Sequence, residues 1–112
     1  MADTTPYHDR DGFIWYDGKL VPWREASLHV LSHGLHYASG VFEGERAYNG
    51  VIFELTQHSQ RLVEGAKTLD FEIPYSVAQI DQANFRHHCG AVPSRQPQPF
   101  VAAAGRVHVR FK

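Results

Sequence analysis

The sequence is poor in cysteine and has no long apolar run. Cys89 is the single cysteine among 112 residues, which excludes an internal disulfide framework and is typical of a protein from the reducing cytoplasm. No stretch approaches the roughly 20 apolar residues that a membrane helix needs, and the polar N-terminus lacks a signal-peptide core. We therefore expect one soluble, cytoplasmic domain with a modest core and with neither a membrane nor a nucleic-acid partner.

Acidic residues are missing from the last quarter of the chain. Residues 1–83 hold six Lys or Arg and all twelve Asp or Glu, whereas residues 84–112 hold five Lys or Arg and no acid. The same tail has three prolines between positions 93 and 99. The polar N-terminus over 1–11 is expected to be flexible, and the change of composition predicts a poorly ordered tail over 84–112.

Two pairs of short apolar segments, each joined by turn residues, predict β-hairpins. In the first pair, Asp17-Gly18 connects residues 13–16 to residues 19–21. In the second, Asn49-Gly50 connects residues 45–48 to residues 51–55. Asp-Gly and Asn-Gly favour the type I′ turn, because both central residues of that turn have positive φ.

Periodicity and capping residues predict three helices, which cover residues 32–38, 57–69 and 77–83. Thr56 is the predicted N-cap of the second helix. Ser76 and Gln79 form a capping box at the start of the third. The apolar face of the second helix holds Leu62, Ala66 and Leu69. The whole pattern predicts an α/β domain, more closely an α+β two-layer domain in which β-hairpins pack with helices.

Three closely spaced histidines raise the question of a metal site. His29, His33 and His36 are four and three residues apart, so on one helix they would share a face. A zinc site needs a further ligand and usually a Glu base, as in His-Glu-x-x-His, and that set is absent. We therefore favour hydrogen bonds from these histidines to the backbone or to neighbours, and we expect no metal.

The glycines and Arg61 bear on phosphate binding. Gly34, Gly40, Gly44 and Gly50 match neither Gly-x-Gly-x-x-Gly nor a Walker loop, so a nucleotide phosphate loop is not expected. Arg61 lies in the predicted helix over 57–69. It is either a solvated arginine or a guanidinium fork for a phosphate or carboxylate. The residues alone leave both interpretations open and favour the solvated arginine.

Two segments carry a resemblance to a known family. They are "DGKLVPWREASLHVLSHGLHYASGVFEGERAYNG" and "HSQRLVEGAKTLDFEIPYS". Over residues 12–81, which are 70 of the 112, the chain resembles the N-terminal domain of branched-chain amino acid aminotransferases, the fold-type IV pyridoxal-phosphate enzymes. The resemblance implies a D-amino acid aminotransferase-like fold and identifies residues 12–83 as an aminotransferase class IV N-terminal domain.

The resemblance also implies roles for individual residues. Arg61, in "HSQRL", matches the arginine that binds the cofactor phosphate in this family. Tyr37 and Phe42 match residues that line the pocket for the substrate side chain. Gly44 lies where the family's backbone follows the wall of that pocket. Arg61 is therefore expected to bind cofactor, and Tyr37, Phe42 and Gly44 are expected to bind substrate.

Other residues of the same motif are expected to be structural or to lie at an interface. We expect Glu43 to anchor a turn and Arg46 to be a surface charge on a strand. The family forms its active sites at a dimer contact, so "LHVLSHGLHY" is expected to be a bent interface segment of a homo-oligomer. In the isolated chain Leu35, Val41 and Phe42 would face water, which predicts self-association.

The departures from the family concern its reactive groups. A transaminase needs a lysine that holds pyridoxal as a Schiff base and moves a proton, and a carboxylate beside the pyridine nitrogen. In the family both come from the second domain. The chain has only Lys19, Lys67 and Lys112, none at a matching position, so we assign no catalytic residue.

The family's "Tyr-x-Arg-Pro" strand is also missing after the third helix. Together with the altered composition from residue 84, this predicts that the tail is an out-of-frame reading of a GC-rich gene. The alternative is a genuinely short protein with its own C-terminal extension.

The resemblance implies a function in amino-acid biosynthesis. The family transfers an amino group from leucine, isoleucine or valine to 2-oxoglutarate with pyridoxal 5′-phosphate as cofactor. We expect this chain to be an N-terminal fragment that is inactive alone. The alternatives are another fold-type IV enzyme, such as a D-amino acid aminotransferase or an aminodeoxychorismate lyase, and a non-enzymatic association domain.

Overall fold

Two β-hairpins and two long helices make up most of the described chain. The structure is a computed structural model that describes residue 6, residues 8–90 and residues 100–101. In chain order the elements are β1 (Phe13–Tyr16), β2 (Lys19–Pro22), a 3₁₀ turn (Trp23–Glu25), α1 (His33–Tyr37), β3 (Gly44–Glu45), β4 (Ala47–Tyr48), β5 (Val51–Ile52), α2 (Leu55–Thr68), α3 (Val77–Gly90) and β6 (Phe100–Val101).

Both predicted hairpins are confirmed. β1 and β2 pair antiparallel with Tyr16 opposite Lys19, and the intervening turn has φ of 47° at Asp17 and 91° at Gly18. β4 and β5 pair around Asn49 and Gly50, whose φ values are 50° and 80°. Positive φ at both central residues is the geometry that Asn-Gly and Asp-Gly adopt readily.

The second hairpin has shorter strands than the sequence predicted. β4 and β5 hold two residues each, where four and five were expected. One further backbone bond, from the Phe53 N–H to the Arg46 carbonyl at 2.9 Å, continues the pairing beyond them. The chain then enters α2 through Glu54, which has φ of 52°, and this sharp change of direction ends the hairpin.

The short helix α1 is confirmed within the predicted range. It begins after Ser32 and ends at Tyr37, and the next residue, Ala38, adopts the left-handed conformation common at helix C-termini. The imidazole of His36 bonds the Val30 carbonyl at 2.7 Å, and the Leu31 N–H donates to His29 Nδ1 at 3.0 Å. These bonds to backbone groups agree with the interpretation favoured over metal binding.

Helix α2 forms where predicted, but two details of the prediction are wrong. Thr56 does not cap it, because the helix already begins at Leu55 and the Thr56 hydroxyl donates to Asp81 Oδ2 of α3 at 2.8 Å. Leu69 does not share the buried face of Leu62 and Ala66. It follows the last helical residue and is exposed, since the helix ends at Thr68.

Helix α3 starts with the predicted capping box. The Gln79 N–H donates to Ser76 Oγ at 3.2 Å, and the Ser76 N–H donates to Gln79 Oε1 at 2.8 Å. The helix continues to Gly90, seven residues past the predicted end at residue 83. Beyond it, the two-residue strand β6 pairs antiparallel with β3, with Val101 opposite Gly44. Residues 91–99 and 102–112 of the predicted tail, and residues 1–5 and 7 of the predicted N-terminal region, lie outside the described residues.

The core of the described chain lies where α2 meets α3. Its buried apolar residues are Leu62, Ala66, Phe71, Ile80 and Ala83. The segment before β3 also packs on α2, since a Cβ at Gly65 would lie 3.2 Å from Val41 Cγ1. Val41 is therefore half-buried rather than facing water as predicted. Among the described residues, no helix has the length and apolar character to cross a membrane.

Candidate functional site

The stretch from Phe42 to Arg46 presents alternate residues to two different environments. Phe42, Gly44 and Arg46 are exposed, whereas Glu43 and Glu45 are buried, with 6% and 3% of their surface accessible. This is the period of two expected of extended backbone. In the sequence "FEGER", the two glutamates therefore face the helices. The aromatic ring of Phe42, the backbone of Gly44 and the charge of Arg46 lie on the outer face.

The carboxylate of Glu43 joins two side chains of α2. Its Oε1 accepts a hydrogen bond from Arg61 Nε at 2.6 Å, and its Oε2 accepts one from Arg61 Nη2 at 2.6 Å. The same Oε2 bonds His58 Nδ1 at 2.7 Å. His58 and Arg61 are three residues apart on the helix, so they share a face and reach the same carboxylate.

These bonds determine the charge on Glu43. The hydrogen bonds from Arg61 lower the pKa of the Glu43 carboxyl, and the bond from His58 acts in the same direction, outweighing the opposite effect of burial. The carboxylate is therefore ionised at neutral pH. Because an ionised carboxylate only accepts hydrogen bonds, His58 Nδ1 must be the donor in this contact.

Arg61 is held at one edge and open at the other. Its side chain keeps 71% of its surface accessible although its Nε and Nη2 atoms are bonded to Glu43. The hydrogen bonds and charge of Glu43 raise the pKa of the Arg61 guanidinium further, so it is always cationic. Within the described residues, Nη1 makes no hydrogen bond. The arrangement presents a fixed, positively charged donor edge to solvent.

The second buried carboxylate, Glu45, has a less complete set of partners. Its Oε1 accepts from Asn84 Nδ2 of α3 at 3.2 Å. Within the described part of the chain, its Oε2 is buried without a hydrogen-bond partner, as are Ser59 Oγ and Asp81 Oδ1. Burial raises the pKa of the Glu45 carboxyl. Nearby His58 acts in the opposite direction, and the charges of Asp81 and Glu43 add to the rise.

The predicted site residues fall into two groups. Phe42 and Gly44 flank Glu43 in the sequence, so they lie beside the Arg61 ion pair, and Phe42 keeps 80% of its surface accessible. Tyr37 is 74% accessible and stacks on His33 with ring centroids 4.6 Å apart. No hydrogen bond or ring contact among the described residues joins Tyr37 to Phe42 or Arg61.

Two features of this site were not foreseen. Glu43 was expected to anchor a turn, and that prediction is wrong, because its carboxylate bonds Arg61 and His58 of α2. His58 was not identified as a site residue at all. The available signal was the spacing in "HSQR", which places a histidine and an arginine on one helical face, opposite a strand that alternates acidic and exposed residues.

The other histidines and the lysines considered from the sequence are not part of the site that Glu43, His58 and Arg61 form within the described residues. The part of the chain that the structure describes contains no group of three or more His, Cys, Asp or Glu residues that could hold a metal ion. His33 Nδ1 instead bonds the hydroxyl of Ser39. Lys19 and Lys67 are both exposed. Lys67 lies in the last turn of α2, where the helix dipole stabilises a positive charge.

Comparison with known proteins identifies branched-chain-amino-acid aminotransferases among the relatives of this chain. A branched-chain-amino-acid aminotransferase from Pseudomonas aeruginosa is 53% identical over 79 residues, which cover 67% of this chain and 26% of that protein. The corresponding enzyme of Escherichia coli (strain K12) is 40% identical over 75 residues, covering 63% and 24%. The chain thus spans 24–26% of the length of these relatives. No protein-family profile matches the chain.

Solved structures that resemble this chain include enzymes of the same kind as these sequence relatives. The crystal structure of Escherichia coli branched-chain amino acid aminotransferase superposes with a TM-score of 0.64 at 38% identity, covering 66% of this chain and 26% of that one. A second branched-chain amino acid aminotransferase, solved in complex with N-(5′-phosphopyridoxyl)-L-glutamate, gives a TM-score of 0.65 at 40% identity, covering 72% and 29%. These neighbours are fold-type IV enzymes, so the predicted α+β class and fold are confirmed.

Proposed function

The N-terminal two thirds of this chain match the N-terminal part of branched-chain-amino-acid aminotransferases, and from this we propose that the chain supplies one half of such an enzyme's active site. In this proposal the whole enzyme transfers the amino group of leucine, isoleucine or valine to 2-oxoglutarate, using pyridoxal 5′-phosphate. This half contributes a phosphate-binding arginine and part of the substrate pocket. The exposed guanidinium of Arg61, held by a buried carboxylate, is the observation that carries the proposal.

Arg61 fits the phosphate of the cofactor. A phosphate ester is an anion with several acceptor oxygens, and a guanidinium binds it best through two parallel N–H donors. Arg61 keeps its outer edge accessible and always charged. One solved neighbour was crystallised with a phosphopyridoxyl compound, which supports a cofactor of this kind. When bound, pyridoxal 5′-phosphate would supply the electron-withdrawing ring, while this chain would hold its phosphate.

Tyr37, Phe42 and Gly44 are proposed to shape the pocket for the substrate side chain. Phe42 and Tyr37 are large and exposed, and Gly44 leaves the backbone open, because a Cβ there would meet no heavy atom within 4 Å. An aromatic surface of this kind favours aliphatic side chains over charged ones, since burying a charge without a partner is unfavourable. This supports a preference for branched, apolar amino acids.

The chain alone is proposed to be inactive. The reaction needs a lysine that binds the cofactor covalently and transfers a proton at the reacting carbon. Lys19 and Lys67 are exposed and make no hydrogen bond or ion pair within the described residues, and Lys112 is the last residue of the chain. We therefore expect no turnover of leucine and 2-oxoglutarate by the 112-residue chain.

The test of the phosphate role uses a ligand that cannot react with lysine. Pyridoxine 5′-phosphate lacks the aldehyde, and pyridoxine lacks both the aldehyde and the phosphate. We expect the phosphate ester to bind the chain roughly tenfold more tightly than pyridoxine, as measured by ligand fluorescence. Arg61→Gln should abolish that difference, whereas Arg46→Gln, which removes another exposed arginine, should preserve it. An unchanged ratio in Arg61→Gln would contradict the proposal.

The region from residue 84 is proposed to be foreign to the family sequence, with residues 12–83 forming the aminotransferase domain. The matched segments cover 63–67% of the chain, which agrees with a boundary near residue 83. An out-of-frame reading explains the loss of acidic residues and of the "Tyr-x-Arg-Pro" strand. The coding DNA tests this directly, because one of the other two frames should restore that strand and a downstream lysine. If neither frame restores them, the frameshift proposal is wrong and the tail is a genuine C-terminal extension.

Association with a second copy is the second candidate function. The segment from residue 28 to residue 42 carries exposed apolar side chains at Leu28, Val30, Leu31, Leu35, Tyr37 and Phe42. Exposed apolar surface of this extent favours burial against another protein surface. We propose that the segment contacts the same segment of a second copy. This candidate does not require cofactor binding, so an associated chain that ignores pyridoxine 5′-phosphate would favour it over the enzymatic role.

A further inference from the structure

The guanidinium of Arg61 has two usable edges, and Glu43 occupies one of them. An arginine carries five N–H donors: one on Nε and two on each Nη. Glu43 accepts one from Nε and one from Nη2, both at 2.6 Å, which is a side-on pairing. Three donors remain. Two of them, one on each Nη, point in parallel from the end of the group and form the second edge.

Glu43 is itself held from several directions. It lies next to β3, with 6% of its surface accessible, and its Oε2 also accepts the bond from His58 Nδ1 at 2.7 Å. His58 is half-buried on the same helix as Arg61. The carboxylate therefore cannot follow Arg61 if the guanidinium swings into solvent. The side-on pairing restricts the arginine to one orientation although the arginine is largely exposed.

We propose that Glu43 is a positioning residue that aims the end-on edge of Arg61 at a phosphate monoester. His58 completes the arrangement by fixing the carboxylate. This inference rests on the proposed function, because it takes Arg61 as the phosphate-binding arginine. It assigns to Glu43 an orienting role that neither the sequence motif nor the resemblance indicated.

Two opposite effects of Glu43 on anion binding make the proposal testable. As a negative charge beside Arg61, Glu43 weakens the attraction of any anion. As an anchor, it removes the rotational freedom that a loose arginine would lose when it binds. Glu43 is buried beside the guanidinium, so salt at about 0.15 M screens its repulsion of the phosphate only in part. We expect the orienting effect to be the larger of the two. A Glu43→Gln variant should then bind phosphate less tightly although its net charge is more positive.

The experiment titrates the ¹⁵N-labelled full chain with inorganic phosphate at physiological ionic strength and follows the Arg61 Nε–H resonance and nearby amides by NMR. We expect about tenfold weaker phosphate binding in Glu43→Gln than in the unmodified chain. Glu45→Gln is the matched control, since Glu45 is also a buried glutamate of this stretch but bonds Asn84 rather than Arg61. It should retain the affinity of the unmodified chain.

A second variant covers the case in which Glu43→Gln does not fold. Arg61→Lys replaces an exposed helix residue, so the fold should persist, and it keeps the positive charge and the Glu43 carboxylate. A lysine has no second edge, so phosphate binding should again fall about tenfold. Equal affinity in Arg61→Lys would show that charge alone suffices, which would overturn the proposal.

The outcomes separate this inference from the proposed function. Weaker binding in Glu43→Gln with unchanged binding in Glu45→Gln supports the positioning role. Equal or tighter binding in Glu43→Gln, together with weaker binding in Arg61→Gln, would overturn the role of Glu43 and leave Arg61 as the phosphate ligand. No loss of affinity in Arg61→Gln would overturn both.

Discussion

At the scale of single residues, Glu43 and Glu45 differ by two positions and by the partners that their carboxylates find. Glu43 accepts three hydrogen bonds from two basic side chains. Glu45 accepts one from an uncharged amide, and burial raises its pKa. The same side chain is therefore stabilised as an anion at one position and disfavoured as an anion at the other.

This difference predicts opposite pH dependences. The pKa of Glu43 is lowered on folding, so its contribution to stability is present above the ordinary value of 4.5 and is lost as the pH falls through the lowered pKa. The pKa of Glu45 is raised, so its contribution is present below 4.5 and is lost as the pH rises through the raised pKa. Glu43 therefore stabilises the fold at neutral pH, whereas ionisation of Glu45 destabilises it.

Matched substitutions test these signs. At pH 7, Glu45→Gln should raise the free energy of unfolding by about 1 kcal/mol, because a neutral amide replaces a buried carboxyl whose ionisation is disfavoured. Glu43→Gln should lower it by about 1 kcal/mol, a value kept small because its partner Arg61 is screened by solvent. Urea unfolding at pH 7 and pH 4 measures both. A change of the same sign in the two variants at pH 7 would contradict the assignment.

At the scale of elements, the chain relies on two tight turns with positive φ. Gly50→Ala should destabilise the second hairpin by about 1 kcal/mol, because a side chain in the left-handed region contacts the adjacent backbone. Gly44→Ala is the control. Gly44 has no positive φ, and a Cβ there meets nothing within 4 Å, so its effect should stay within about 0.5 kcal/mol. Thermal unfolding followed by circular dichroism compares them, and equal losses would refute the turn argument.

The elements that could be predicted from the sequence are those determined by neighbouring residues. Asp17-Gly18 and Asn49-Gly50 specify their turns, and the box of Ser76 and Gln79 specifies the start of α3. The start of α2 could not be predicted in the same way. Thr56 bonds Asp81, which is 25 residues away, so a local capping rule had no access to the competing partner.

In the candidate site too, residues within a local motif could be identified from the sequence, whereas contacts between distant residues could not. Arg61, Tyr37 and Phe42 were identified through a sequence motif, and their role as site residues remains a prediction. The partners of Arg61 could not be found from periodicity, because Glu43 is 18 residues from it and the contact requires the stretch before β3 to lie along α2. The pattern to search for in similar sequences is a basic pair three residues apart on a helix, with a buried acidic residue in the extended segment just before a strand.

At the scale of the whole molecule, the exposed apolar side chains between residues 28 and 42 predict self-association. Burying one leucine side chain contributes about 1.5–3 kcal/mol, so several together can hold a dimer. Leu31→Lys should weaken the association strongly, because Leu31 keeps 74% of its surface accessible in the single chain and its replacement leaves the α2–α3 core unchanged. Leu20→Lys, an exposed leucine in β2, is the control and should have little effect.

Sedimentation velocity over a range of concentrations measures this prediction. The unmodified chain and Leu20→Lys should sediment as a species larger than a monomer at high concentration, whereas Leu31→Lys should remain smaller. A chain that stays monomeric at every concentration would contradict both the prediction and the proposed association.

The alternation of exposure over residues 42–46 also bears on which genetic changes this stretch can tolerate. Inserting or deleting one residue reverses the face of every side chain that follows, up to the turn at Asn49-Gly50. Deleting the Phe42 codon would turn Glu43 and Glu45 outward and place Gly44 and Arg46 at the buried positions. A substitution at Phe42 alters one surface only. The length of this stretch should therefore vary less among natural homologues than the identity of its outward residues.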